Sequence, residues 1–331
     1  MAELLEINDL RVRFRSMSRL QALLTGTSDP WLDAVLDVSL TLQAGRTYGL
    51  VGESGSGKTT LGRAIIGLVR AHSGSIRING DEITGLKGRQ YKAIRRNVAM
   101  MFQDPVASLS PRLTIKSIIT EPFRIHHIKD KDLDQEARRL LDMVGLPADF
   151  VSRYPHELSG GQARRVGVAR ALALEPKLII ADEPTAGLDV SVQGEILNLM
   201  ADLQDRLNLT YLVITHNLPV VRHVSDRLAI MYLGRFVEQG ESDRIFDSPA
   251  HPYTEALLQG VPQPDPDKRR DLVSIAGEVP SLAQRPAGCE FHTRCPYAQD
   301  RCRREVPERR LIGDDHWVRC HFPLGGRPVA A

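Results

Sequence analysis

The 331-residue sequence predicts an α/β fold built around a buried parallel sheet, and three observations predict it. The stretch "TYGLVGESGSGKTTLGRAIIGLV" (47–69) reads as a short buried strand, a glycine-rich turn and a helix in direct succession. Later, "KLIIADEP" and "TYLVITHN" return as short apolar runs, the pattern of strands covered on both faces. Before them, from about 106 to 165, polar text with helical spacing ("KDLDQEARRLLDMVGL") predicts a helical subdomain in place of more sheet.

The elements follow in order. "LLEINDLRVRF" and "DVSLTLQAGR" carry apolar residues at strand period and predict an antiparallel β subdomain closed by the "AGR" turn. Residues 16–32 interrupt these strands and read as an inserted loop. "RLAIMYLGRFVEQGES" predicts a closing antiparallel pair. "DSPAHP" (247–252) then punctuates the chain, and a Pro-rich, irregular extension follows, with "VPQPDPDKRRD" as a linker. The expected division is a domain at 1–248 and an extension at 249–331, with no internal repeat.

Composition narrows the function classes. An apolar share of 42% and a charged share of 25% are those of a globular chain with a sizeable core. A net charge of +2 supplies no overall field for nucleic acid or anionic membrane, and clusters such as "DKRRD" read as solvated faces. No apolar run has the length of a membrane span, and "MAELLEINDL" lacks a secretory pattern, so the expected location is cytoplasmic.

The chemistry lies in spaced motifs. Gly52-x4-Gly57-Lys58-Thr59 is a complete phosphate loop. Its residues Ser54, Gly55, Ser56, Gly57 and Thr60 turn backbone N–H groups toward the α- and β-phosphates, and the following helix adds its positive N-terminus. Lys58 would reach the β- and γ-phosphates, and the Thr59 hydroxyl would hold Mg²⁺. "LIIADEP" (178–184) ends a strand in carboxylates where α/β sheets bind ligands. There Asp182 would bind Mg²⁺ through water and Glu183 would polarise the attacking water. His216 follows "LVIT" at another strand end, within reach of a γ-phosphate, but a lone histidine reads equally as an ordinary polar residue, and Gln103 in "MFQDP" says as little by itself. Ser159 opens "SGGQ", a second phosphate-friendly turn, and is also a good helix N-cap.

The segments "GESGSGKTT", "MFQDP", "LSGGQARRVGVARAL", "LIIADEPTAGLD" and "VITHN" occur in the order found in ATP-binding cassette (ABC) ATPases, which the chain resembles over about residues 3–248. The resemblance implies a phosphate-loop ABC ATPase core with an antiparallel β subdomain and a helical subdomain. It implies that ATP held by one subunit is closed from the other side by Ser159, Gly160, Gly161 and Gln162 of a second subunit, homologous or identical. Gln103 then senses Mg²⁺ and the attacking water while touching membrane subunits, and His216 becomes the switch histidine. "AGLD" (186–189), with Asp189, becomes the loop linking two ATP sites, although many relatives have Ser-Ala at its first two positions. The aromatic that stacks on adenine is carried to Phe14, with Trp31 as an alternative.

"FQDPVASLSPRLTI", "LDVSVQGEILNLMADLQ", "MYLGRFVEQG" and "HPYTEALLQGVP" further resemble the ATPase subunits of dipeptide/oligopeptide importers. This implies uptake of peptides through two permease subunits fed by an extracytoplasmic binding protein, with the chain peripheral on the cytoplasmic membrane face. Related importers carry nickel, opines or glutathione, and non-transport ABC ATPases form a further alternative. The four cysteines, Cys289, Cys295, Cys302 and Cys320, are spaced C-x5-C-x6-C-x17-C, unlike zinc ribbons or bacterial ferredoxins. Four thiolates from an irregular tail suit one metal centre. The resemblance implies a [4Fe–4S] cluster, with zinc or free thiols as alternatives and His292, His316 and His321 outside the ligand set.

Overall fold

The structure is a computed structural model that describes residues 3–16, 31–86, 88–104, 107–261, 275 and 277–325. Most of the expected insertion (17–30) and nearly all of the linker after 261 lie outside the described residues.

Strands β1 (Glu3–Arg15) and β2 (Trp31–Gln43) pair antiparallel, and β4 (Ser73–Ile78) with β5 (Asp81–Glu82) completes a four-stranded sheet in the order β2-β1-β4-β5. Leu5 and Ile7, then Leu10 and Val12, are buried two apart along β1, and a register shift between Ile7 and Leu10, with Asp9 at φ 45°, lets both pairs be buried. The second sheet has eight strands in the order β11-β12-β10-β9-β3-β8-β7-β6. Its centre is parallel: β6 (Val98–Met101), β7 (Leu178–Asp182), β8 (Thr210–Thr215), β3 (Thr47–Val51) and β9 (Arg227–Tyr232). Every residue of β3, β7 and β8 is buried, which explains their unbroken apolar text. β10 (Arg235–Glu241) returns antiparallel to β9, the expected closing pair.

Helix α1 (Lys58–Ile65) follows the phosphate loop and buries Leu61, Ala64 and Ile65 against the sheet. Each fully buried Leu or Ile contributes about 1.5–3 kcal/mol relative to exposure. After α2 (Arg89–Ile94) and β6 come the short helices α3 (Ile115–Ile119) and α4 (Glu121–Ile125), then α5 (Leu133–Met143) and α6 (Gly160–Leu172). Ile115, Ile119, Phe123, Leu140, Leu141 and Val166 share one apolar core there. The helical region runs seven residues past the expected end at 165, because Val166, Val168, Ala169 and Leu172 carry α6 down onto the parallel sheet. Helices α7 (Val190–Leu207) and α8 (Leu218–Val224) connect β7, β8 and β9.

The extension is more regular than its Pro-rich text suggests. After α9 (Ser242–Asp247) and α10 (Pro252–Gln259), a short helix α11 (Asp300–Arg304) precedes a hairpin, β11 (Arg310–Gly313) and β12 (His316–Val318). β12 pairs with β10, so the extension lengthens the main sheet. Buried Glu238 on β10 accepts from the N–H groups of Ala250 (2.7 Å) and His251 (3.0 Å) and pairs with His316 Nε2 (2.7 Å). Three polar groups of the extension are thereby satisfied by one carboxylate of the core.

Candidate functional site

The parallel order places the ends of β3, β7 and β8 side by side, and the predicted residues collect there. Gly57 has φ 105°, and a side chain on it would sit 2.2 Å from the Ala34 carbonyl oxygen. A side chain on Gly52 would meet the Met231 carbonyl oxygen at 2.2 Å. Only glycine lets the loop turn this tightly between the two sheets. No backbone carbonyl accepts from the N–H groups of Ser54, Gly55, Gly57, Lys58, Thr59 or Thr60 among the described residues. These donors are left for a ligand at the start of α1.

Lys58 folds back across the loop, its Nζ donating to the carbonyls of Gly52 (2.7 Å) and Glu53 (2.9 Å). Burial pulls its pKa down, opposed by the charges of Glu183, Asp182 and Glu53. The Thr59 hydroxyl donates to Asp182 Oδ1 at 3.1 Å, so the two expected Mg²⁺ holders already touch. Asp182 is buried, which raises its pKa, and neighbouring Glu183 adds to the rise. A hard cation between Thr59 and Asp182 suits such an oxygen donor pair.

Glu183 follows β7 at φ 51°, a left-handed conformation that is strained for a non-glycine residue. Its N–H donates to the Ile214 carbonyl (2.7 Å), and its carboxylate accepts from the Thr215 hydroxyl (2.8 Å) and the His216 N–H (3.1 Å). His216 Nδ1 lies 2.6 Å from the same carboxylate, while the imidazole itself is mostly exposed. The turn thus brings an acid and a histidine together at the mouth of the phosphate loop.

Gln103 is exposed and lines a cleft of about 560 Å³ with Asp182, Arg63, Phe102, Glu121 and Arg170, between the parallel sheet and the helical region. Ser159 caps α6: its hydroxyl accepts from the Gln162 N–H (3.3 Å), and its own N–H donates to Gln162 Oε1 (3.0 Å). Ser159 and Gly160 are exposed, Gly161 and Gln162 half-buried. No hydrogen bond joins residues 159–162 to 52–60 among the described residues. Asp189 likewise caps α7, accepting from the Val192 N–H (2.9 Å), and Val190 beside it is 85% exposed. Phe14 and Trp31 are about half exposed at the open end of the β1–β2 ladder. Phe14 pairs with Leu32, two residues from the Ala34 carbonyl that touches Gly57.

The motifs alone do not single out Arg164. It is buried in α6 and donates to the carbonyls of Gln103 (3.2 Å) and Ala186 (3.0 Å), which ties "SGGQ" to the two other loops of the site. Its position three residues after Gly161, on an otherwise apolar helix face, is the one signal the sequence carries.

The four cysteines are free thiols that line one small cavity of about 10 Å³ with His251, Phe291 and Phe322. Burial pushes the thiols up, Cys289 to about 12 and Cys320 to about 11, with Cys295 also raised. His316 is committed to Glu238, and His292 and His321 each hold a backbone carbonyl through one ring nitrogen. No group of His, Cys, Asp or Glu side chains takes up metal-holding geometry among the described residues. The expected cluster therefore has a convergent donor set without a preformed cage.

Fold and site together define a phosphate-loop ATPase. The family described as "ABC transporter" matches residues 35–186, and "Oligopeptide/dipeptide transporter, C-terminal region" matches 237–302. The oligopeptide transport ATP-binding protein AppF of Bacillus subtilis is 46% identical over 323 residues, 96% of this chain and 97% of that protein. The protein of the same description, OppF, of Escherichia coli is 47% identical over 308 residues, 92% of each chain. The dimeric structure of the ABC transporter cassette MJ0796 matches with a TM-score of 0.63 at 26% identity, covering 72% of this chain and 99% of that one. The chain belongs to the ABC transporter ATP-binding subunits, in the dipeptide/oligopeptide branch, and is an ATPase. No helix among the described residues is long and apolar enough to cross a membrane.

Proposed function

We propose that this chain powers uptake of di- or oligopeptides by binding and hydrolysing Mg·ATP on the cytoplasmic face of the membrane. Two such subunits, identical or homologous, act on two permease subunits served by an extracytoplasmic binding protein. The observation that carries this reading is the meeting of Lys58, Thr59, Asp182, Glu183 and His216 at one sheet edge, while Ser159 and Gly160 face outward. In this reading the loop amides from Ser54 to Thr60 and Lys58 hold the phosphates, and Phe14, with Trp31 as the alternative, stacks on adenine. Thr59, Asp182 and Gln103 hold Mg²⁺, which supplies charge neutralisation on the phosphates. Glu183 accepts a proton from the attacking water, and His216 contacts the γ-phosphate. Ser159, Gly160, Gly161 and Gln162 close the partner subunit's ATP, and Asp189 meets the partner beside exposed Val190. The Gln103 cleft receives the permease. The 46–50% identity of relatives described as peptide transport proteins supports the substrate class over nickel, opines or glutathione.

We further propose that Cys289, Cys295, Cys302 and Cys320 hold a metal centre, an iron–sulphur cluster or zinc. Convergence of all four thiols on one cavity supports it. A nearby cation would also offset the burial that raises the pKa values of Cys289, Cys295 and Cys320. An absorbance spectrum of anaerobically purified protein tests it: a broad visible shoulder identifies iron, its absence with stoichiometric zinc identifies zinc, and a metal-free preparation contradicts both. For the main reading, peptide-stimulated ATPase of the chain assembled with its permeases is expected. Stimulation by nickel or an opine in place of peptides would overturn the substrate class.

A further inference from the structure

The extension reaches into the phosphate loop itself. Arg294 donates to both carboxylate oxygens of Glu53, at 2.7 and 3.0 Å, across 241 positions of sequence. The Tyr253 hydroxyl accepts from the Glu53 N–H at 2.9 Å. The Glu53 carbonyl takes the remaining ties, from Lys58 Nζ (2.9 Å) and the Ser56 N–H (3.2 Å). The N–H, carbonyl and carboxylate of this loop residue are therefore all engaged, two of them by the extension. Arg294 is itself locked in place: its side chain is 5% exposed and lies over the Tyr232 ring at 5.9 Å. Tyr232 in turn packs with Tyr253 and Phe291, the three ring centroids lying 4.7–5.3 Å apart.

We propose that Arg294, with Tyr253, is a positioning residue for nucleotide binding: it holds Glu53, and through Glu53 the phosphate loop, in the shape that receives a triphosphate. The proposal rests on the reading of residues 52–60 as the triphosphate cradle. Two physical effects support it. A loop with glycines at 52, 55 and 57 has wide conformational freedom, and ordering it before the ligand arrives lowers the cost of binding. A lone carboxylate at that loop would also repel a triphosphate, and the bidentate guanidinium neutralises it. Because Arg294 is the neighbour of Cys295, which lines the thiol cavity, a change of that cavity's contents has one residue to cross before it reaches Glu53.

The test is ATP affinity of the full-length chain, by equilibrium titration, alongside thermal melting. Arg294→Gln is expected to raise the Kd for ATP about tenfold, Arg294→Lys to recover part of the loss, and Glu53→Gln/Arg294→Gln to bind no worse than Arg294→Gln alone. Tyr253→Phe keeps the ring and removes the acceptor, so about a threefold rise is expected; it decides the matter if Arg294→Gln does not fold. An ATP Kd within twofold of wild type in Arg294→Gln or, failing its folding, in Tyr253→Phe would overturn the proposal, a lowered melting temperature then marking a purely structural tie. Lys58→Ala separates the two readings. Wild-type affinity in that variant would sink the cradle assignment itself, whereas lost affinity beside normal Arg294→Gln binding sinks the positioning role alone.

Discussion

Both oxygens of the Glu183 carboxylate are engaged, one by the Thr215 hydroxyl and one by the His216 backbone and ring, on a residue held at φ 51°. That arrangement aims one acid at the loop mouth and leaves little freedom for another side chain to imitate it. Glu183→Gln is expected to lower ATP hydrolysis by 10²-fold or more and to leave ATP binding intact, read as phosphate release against nucleotide titration in the assembled transporter. Near-normal turnover would remove Glu183 from its proposed role as base. A second residue governs acid stability. Burial raises the Asp33 pKa, but hydrogen bonds and charges from Arg11 and Arg13 outweigh it and hold the carboxyl at about 2. The folded state therefore keeps Asp33 ionised where the unfolded chain protonates it, below about 3.8. Its stabilisation, about 1–2 kcal/mol after solvent screening, is present above that pH and lost as pH falls toward 2. Asp33→Asn should be less stable than wild type in urea titrations at pH 7, with the gap narrowing below about pH 4 and closing toward pH 2; a pH-independent gap would contradict this. Lys58, Thr59 and Asp182 were legible in the sequence as candidates because each sits at a fixed offset within a short motif, whereas His216, a lone histidine at a strand end, gained its expected role only through the family resemblance. Arg164 and the Glu53–Arg294 pair were not, since their partners come from distant text with no spacing to announce them.

Strand β3, its loop and α1 were legible as one unit, because strand period, glycines and helix period follow one another without interruption. The parallel strands were legible from apolar runs, although the order that puts β3 between β8 and β9 was not, since strand neighbours are set by crossovers in space. The helical region was visible in outline, but α6 outran its expected end because its apolar residues share one core with both the short helices and the parallel sheet. In the extension, text rich in proline and charge concealed the β11–β12 hairpin, whose strands are only four and three residues long and join the sheet through the pairing of β12 with β10. The extension's hold on the core depends on Phe291, buried among Tyr232, Tyr253 and His251. Phe291→Ala should cost about 3–5 kcal/mol, measured as a shift in denaturation midpoint. A change under 1 kcal/mol would mean that the extension is held some other way.

At the scale of the whole molecule, no hydrogen bond joins the turn at 159–162 to the phosphate loop at 52–60 among the described residues. Residues 52–60 and the carboxylates of β7 open at the sheet edge, whereas Ser159 and Gly160 present a capped helix start to solvent. Arg164 links this helix start to the Gln103 cleft and the Ala186 turn, so movement of one element bears on the others. A helix N-terminus offered outward is a ready anion site, and here the anion is taken to be the triphosphate carried by another subunit. The central claim is therefore one of assembly: two chains complete each other's chemistry, and neither is complete alone. The most direct measurement is a density map of the Glu183→Gln assembly, with its permeases, saturated with Mg·ATP. The account predicts the Ser159 hydroxyl and the Gly161 N–H within hydrogen-bonding distance of a γ-phosphate whose other oxygens rest on the neighbouring subunit's phosphate loop. ATP bound at Lys58 with residues 159–162 of every neighbouring subunit turned away from it would contradict the account.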